Sequence, residues 1–374
     1  MLWFALKSIG SDRGKVLTAL IGVVFSVVLI ELQGGLYLGL MHKARILTEN
    51  TAADIWVSHP DVQLVDLPQA IPEDRINRVR TVPGVAEAEP YIVGNAYASF
   101  GDGHYENVWI HGADPRSSLG RGWAYTTGGP DALRRPDSVS VDECDADKLH
   151  HAGLGSTFEV NGHKARVVAT THGILPFTTT PYLFTSLESA RAYTETPPGQ
   201  CSYFLVRLSP GADRQAVAAE IQRRIPELRA LTAKQLGDLS QRYWMSRTGI
   251  GISFGAATLL GLLVGLTMIA QSLYALALDH LTDYATLKAI GADDRQVGAV
   301  VVWQALTIAA IGCAIGVGIV LATQHTLSSP IAPIELPLKL IISGIASVIS
   351  ICMTATVLPS YRIRRVDPAL VLQG

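Results

Sequence analysis

The sequence predicts an α-helical membrane protein: four transmembrane helices, with a large mixed α/β extracytoplasmic domain inserted between helices 1 and 2. Three observations carry this. Apolar runs at 16–40, 250–278, 297–323 and 338–358 each reach the roughly 20 residues a helix needs to cross a bilayer core. A single long polar stretch separates the first run from the second. Basic residues are placed unevenly: Arg362, Arg364 and Arg365 follow the last run, whereas 324–337 has no Lys or Arg. Positive charge collects on the cytoplasmic side, so the C-terminus is expected there. Lys7, Arg13 and Lys15 place the N-terminus on the same side. Lys43, Arg45, Arg242 and Arg247 point the other way, but they border a long domain, and long domains translocate largely regardless of charge.

The expected layout follows in chain order. Residues 1–15 form a cytoplasmic N-terminal amphipathic segment, and 16–41 form span 1. That run is longer than the 7–15 residues of a signal-peptide core, so it reads as an uncleaved helix. Residues 42–247 are the extracytoplasmic domain and 248–278 are span 2. A cytoplasmic coupling helix and loop fill 279–296, followed by span 3 at 297–323. An extracytoplasmic link at 324–337, span 4 at 338–360 and a cytoplasmic tail at 361–374 complete the chain.

Within the domain, Ala53–Ser58 is a short β-rich run and Pro72–Val79 a helix with Pro72 in its first turn. Tyr91–Phe100 and Asn107–Gly112 read as strands. Asp142–His150 reads as a short helix capped by Asp142, with Glu143, Asp145, Asp147, His150 and His151 on a solvated face. Phe158–Val160, Asn161-Gly162 and Ala165–Thr170 form a hairpin, because Asn-Gly suits a primed turn. Ser202–Leu208 is a strand; Asp213–Arg224 is an amphipathic helix burying Val217, Ile221 and Ile225. Strand and helix at both ends with a hairpin-rich middle suggest an inserted subdomain at 115–190.

Composition excludes several functions. Charged residues are 17%, mean hydropathy is +0.28 and net charge is −2, with no basic stripe for nucleic acid. There is no Walker A sequence, no zinc-ligand spacing and no nucleophile elbow. No catalytic residue, metal site or cofactor is therefore assigned. Cys313 and Cys352 fall inside apolar runs; Cys144 and Cys201 fall in the domain, where the compartment permits a disulfide.

Residues 279–296 read DHLTDYATLKAIGADDRQ. Thr282–Ile290 is helical in pattern, and Gly291 is placed to end it. Leu287 and Ile290 are expected to face a partner while Asp283 and Lys288 stay wet. The helix either meets a motor subunit or lies on the bilayer surface.

This stretch resembles the signature of FtsX/MacB-type permeases, the membrane subunits of mechanotransmission (type VII) ABC transporters. Leu287, Lys288, Ala289, Ile290, Gly291 and Ala292 match the family's L-(K/R)-A-(I/L)-G-A one for one. Arg362, Arg365, Pro368 and Leu372 resemble its closing tail. The chain departs from the pattern twice: Gln304 stands where the family often has Glu, and Tyr284 or Asp283 stands where an acid commonly opens the motif. The layout is most similar to DevC-like free-standing permeases. The resemblance implies a homodimer and two separate ATPase subunits that bind the ATP. It also implies a periplasmic adaptor and an outer-membrane channel.

Glu31, Gln33 and Gln304 are polar residues inside spans. Intramembrane acids usually face protein or a water-filled cavity, so Glu31 is a candidate for a substrate path, a dimer interface or a structural pair. Met41 and His42, at the exit of span 1, are either path residues, haem ligands or packing. Gly35/Gly39, Gly251/Gly255, Gly261/Gly265 and Gly312/Gly316 have the spacing that lets helices approach closely in lipid. The functions left open are export of an amphiphile (a glycolipid, lipid or drug-like compound), FtsX-like mechanical control of a cell-wall hydrolase, and haem efflux.

Overall fold

A computed structural model describes residues 13–364, apart from the side chains of Arg13, Arg362 and Arg364. Lys7, Arg365, Pro368 and Leu372 lie outside the described residues. The described residues divide into two compact units, one of 13–39 with 251–364 and one of 40–250.

The first unit is a helical bundle. Its spans are Arg13–Lys43, whose last residues enter the second unit, Ile250–Asp279, Asp294–Leu327 and Leu338–Ala355. The fourth belongs to a candidate spanning stretch, Leu338–Tyr361, that has a break in it. It stops at Thr356 and restarts as Val357–Arg364. Pro359 explains the break, because it has no N–H to donate to the Ala355 carbonyl and its ring crowds that group.

Span 1 is the axis on which the others pack, and glycine sets the distances. Gly261 and Gly265 of span 2 receive Leu29 and Ser26, while Gly312 and Gly316 of span 3 receive Val23 and Val27. Span 1 offers Gly22 to Met268 and Gly34 to Leu340. Gly35 and Gly39 receive the 333–336 link instead, and the Glu335 N–H donates to the Gly35 carbonyl at 3.1 Å. Gly255 has open space around it. Three of the four glycine pairs thus serve packing inside the chain. Lipid tails are as apolar as the helices, so close van der Waals contact replaces the hydrophobic effect as the cohesive force here.

The second unit is built on one ten-stranded sheet. Its strands are β1 (Ile55–Ser58), β3 (Val85–Ser99), β4 (Tyr105–Ala113), β5 (Tyr125–Thr127), β6 (Ser138–Asp142), β7 (Thr157–Val160), β8 (His163–Thr171), β9 (Tyr182–Ser186), β11 (Tyr203–Leu208) and β12 (Arg229–Thr232). A separate pair joins β2 (Ile71–Pro72) to β10 (Gln200–Cys201). The order β12-β1-β11-β3 is an open antiparallel arm. From β3 the pairing runs β4, β9, β6, β8, β7 and back to β3, a closed ring of six strands. Strand β3 belongs to both: Val85–Tyr91 pairs β11, and Ile92–Ser99 pairs β4. The 115–190 segment supplies β5 to β9 of this sheet.

Strand alternation gives the arm two buried faces. Ile55, Val57, Phe204 and Val206 point to one core together with Val217 and Ile221 of the helix Arg214–Arg224 and Ile225 just after it. Trp56, Tyr203 and Leu205 point to the other, with Leu47 and Leu236. That second core is aromatic and polar. Trp56 meets Tyr91 and Tyr203 edge-on at 5.8 and 5.1 Å. The Tyr182 hydroxyl donates to buried Asp66, and the Tyr203 hydroxyl donates to the Val65 carbonyl at 2.8 Å.

The acidic segment differs from expectation in part, the open question of the two domain cysteines is answered, and one helix is new. Asp142 does cap, accepting from Cys144 N–H, but the helix is only Glu143–Asp145. Of the face expected to be solvated, Glu143, Asp147, His150 and His151 are exposed, but Asp145 is buried at 1% exposure, as is the cap Asp142 at 2%. Asp142 also accepts from Thr171 Oγ1, Gly173 N–H and Ile174 N–H at 2.9–3.1 Å, so it pins a distant loop. Cys144 and Cys201 are separate free thiols. Finally, Ala233–Arg247 forms a helix that the periodicity did not suggest, opened by a Thr232/Gln235 capping box.

Candidate coupling site

Span 2 ends at Asp279 and a short helix, Leu281–Ala289, follows it. Lys15 at the start of span 1 pairs with Asp279 and ties the two span ends together. At the head of the short helix, His280 Nδ1 meets Asp283 Oδ2 at 2.8 Å. An acid in the first turn suits the positive end of the helix dipole.

The helix stops in a Schellman motif. Gly291 N–H donates to the Lys288 carbonyl and Ala292 N–H to the Leu287 carbonyl, both at 3.0 Å. Gly291 has φ +101°, which a residue with a Cβ rarely adopts. Two residues on, Asp293 opens span 3 with a reciprocal capping box to Gln296. The chain therefore reverses within four residues, with both helix ends satisfied. Lys288 Nζ meets Asp294 Oδ1 at 2.8 Å across the corner. Its side chain is 12% exposed, so Lys288 is a brace, contrary to the wet position expected.

One face of the short helix is locked down. Tyr284 and Ala285 are fully buried, Tyr284 against Ala277, Val297, Val300, Val301 and Ile363. Leu287 and Ala292 pack partly on the same cluster, so Leu287 faces inward rather than toward a partner. Burial pushes the Tyr284 phenol up to about 12, while its hydrogen bond with Gln304 acts the other way. The two positions where the chain departs from the family pattern thus touch each other. The opposite face, with Thr282, Asp283, Thr286, Ala289 and Ile290, is exposed; Ile290 stands 77% exposed at the tip.

The six motif residues accordingly separate into roles. Leu287 and Ala292 anchor, Lys288 braces, Gly291 turns, and Ala289 with Ile290 presents a surface. Sequence reasoning missed Tyr284 and Asp294 as supports. The three-residue spacing of Tyr284 and Leu287 is the signal that identifies one face. Glu31 and Gln304 are buried in the bundle, and Gln33 is half-buried. Met41 is buried while His42 is exposed, so the two side chains diverge. The Met41 carbonyl accepts from Gln241 Nε2 at 2.8 Å.

Two family models match this architecture. Residues 16–224 match the MacB-like periplasmic core domain, and residues 255–368 match the FtsX-like permease C-terminal. The chain belongs to the FtsX/MacB-type ABC transporter permeases. Among curated proteins, it is 26% identical over 392 residues to an uncharacterized ABC transporter permease in two strains of Mycobacterium tuberculosis, over the full length of each chain. Among solved structures, the periplasmic region of MacB from Actinobacillus actinomycetemcomitans aligns with TM-score 0.39 and 10% identity, covering 50% of this chain and 92% of that one. The extracellular domain of the Gram-positive transporter YknZ aligns with TM-score 0.34 and 14% identity, covering 48% and 98%. Membership makes this a multi-pass inner-membrane protein with its large domain extracytoplasmic and an ATPase as partner.

Proposed function

We propose that the chain is a non-catalytic permease subunit that couples ATP hydrolysis by a separate ATPase to export of an amphiphile: a glycolipid, lipid or drug-like compound. A second copy completes the permease, and a periplasmic adaptor with an outer-membrane channel carries the substrate onward. The observation that carries the reading is the elbow at 287–292. It is closed by backbone hydrogen bonds at Gly291 and Ala292 and braced by Lys288, and it presents Ile290 on a surface with no catalytic group. A rigid presented corner suits the transfer of force from a motor. A mobile one would absorb it.

The test is reconstitution with the ATPase in liposomes holding a fluorescent lipid or drug-like amphiphile. ATP-dependent loss of probe from the ATPase-facing leaflet supports export. Stimulated hydrolysis with no movement of any probe sinks it and favours mechanical control of a cell-wall hydrolase.

A further inference from the structure

Glu31 lies midway along span 1 with 1% of its surface exposed. Neither carboxyl oxygen has a hydrogen-bond partner among the described residues. The hydroxyl or amide partner that would make it a structural acid is therefore not supplied by its neighbours. Span 4 has made room instead. A Cβ on Gly344 would fall 2.1 Å from Glu31 Oε1, and Ile30 flanks the same glycine.

The electrostatic surroundings are equally bare. Cys313 on span 3 is the titratable group coupled to Glu31. Spans 2 and 3 carry no Asp, Glu, Lys, Arg or His between 250 and 278 or between 297 and 323. Span 4 has only Lys339, near its start. A carboxylate here would sit in hydrocarbon with neither counter-charge nor donor, the costliest state for a buried group. The neutral acid has no such burden. Among the described residues no group of His, Cys, Asp or Glu gathers around it to hold a metal ion. A proton is the ligand that fits.

We propose that Glu31 is an intramembrane proton-binding site, closed by Gly344 and opened when span 4 moves off span 1. In the closed bundle the side chain is COOH. When the helices part, water reaches Oε1 and takes the proton, leaving carboxylate and hydronium. Reclosure reverses the transfer. The opening half rests on ATP-driven movement of the bundle; the closed half does not.

Infrared difference spectroscopy tests both halves on the full permease with its ATPase in nanodiscs. Glu31→Gln keeps the size and shape of the side chain. Subtracting its spectrum at pH 7 should reveal a carboxylic-acid C=O band lost from the resting protein. In the ADP–vanadate state that band should vanish and a carboxylate pair appear. A carboxylate pair at rest overturns the proposal, as does an acid band unchanged by vanadate when hydrolysis is arrested. If vanadate arrests nothing because the ATPase does not engage the chain, the coupling reading fails, and the resting band still decides the state of Glu31.

Discussion

The two units of this chain are held together by different forces. In the extracytoplasmic unit, a hydrogen-bonded sheet fixes every register, and aromatic and aliphatic side chains fill a core on each face. In the bundle, the helices satisfy their own backbones. Cohesion comes from glycines that let side chains of span 1 approach within contact distance. A ladder must break bonds to move. A helix seated on small residues slides at less cost, because few directed bonds hold it: those of span 1 include Lys15 to Asp279, Ser26 Oγ to the Gly261 carbonyl and Glu335 N–H to the Gly35 carbonyl. Under the proposed coupling, motion falls to the bundle and load-carrying to the domain.

The largest effect should come from disturbing the corner at 287–292 through which we propose the motor acts. Gly291→Pro removes the donor to the Lys288 carbonyl and demands φ near −65°, where the chain needs +101°. ATPase stimulation should fall to that of the ATPase alone, with membrane insertion unchanged. Normal stimulation would break the comparison. Next, Asp142→Ala strips a buried carboxylate that accepts from three backbone N–H groups and Thr171. Thermal unfolding of the domain should report a loss on the order of 3 kcal/mol.

Overpacking the bundle should cost less and act elsewhere. Gly316→Leu collides with Val27 and should destabilise span packing by about 1–3 kcal/mol, seen as lower detergent resistance with the domain's melting unchanged. If the domain melts earlier too, the units are not energetically separate.

The narrowest effect is a pH dependence confined to the aromatic core. Burial raises Asp66 to about 6, against the pull of its Tyr182 bond, and lowers His111 to about 3. Asp66, raised above its unfolded value of 3.8, contributes stability that is complete below that value and lost as pH rises through about 6. His111, depressed below 6.5, contributes stability that is present above that value and lost as pH falls toward about 3. The two oppose each other between about pH 6 and 4. Asp66→Asn removes one arm, so relative to the variant the parent should gain about 2 kcal/mol between pH 7 and pH 4. A pH-independent gap in melting would show that Asp66 is not buried as described.

How legible each part was follows from the range of its interactions. The spans, the Asn161-Gly162 hairpin and the Gly291 cap are local: a run length, a turn pair with φ of 47° and 77°, a glycine after a helix. The closed ring was not legible, because β7 pairs both β3, some sixty residues away, and its neighbour β8. Asp142 read only as a local cap because its donors at 171–174 lie about thirty residues on. The helix Ala233–Arg247 buries Leu236, Gly237 and Ser240, a face too small and polar to stand out by periodicity. Lys288 looked solvent-bound because its partner Asp294 belongs to the next helix.

Ile290 offers the most direct test, because it is exposed, caps the coupling helix and supports nothing inside the fold. Ile290→Asp should leave insertion and melting intact and abolish both ATPase binding and stimulated hydrolysis by the reconstituted pair. Wild-type stimulation by that variant would mean that the motor pushes somewhere else.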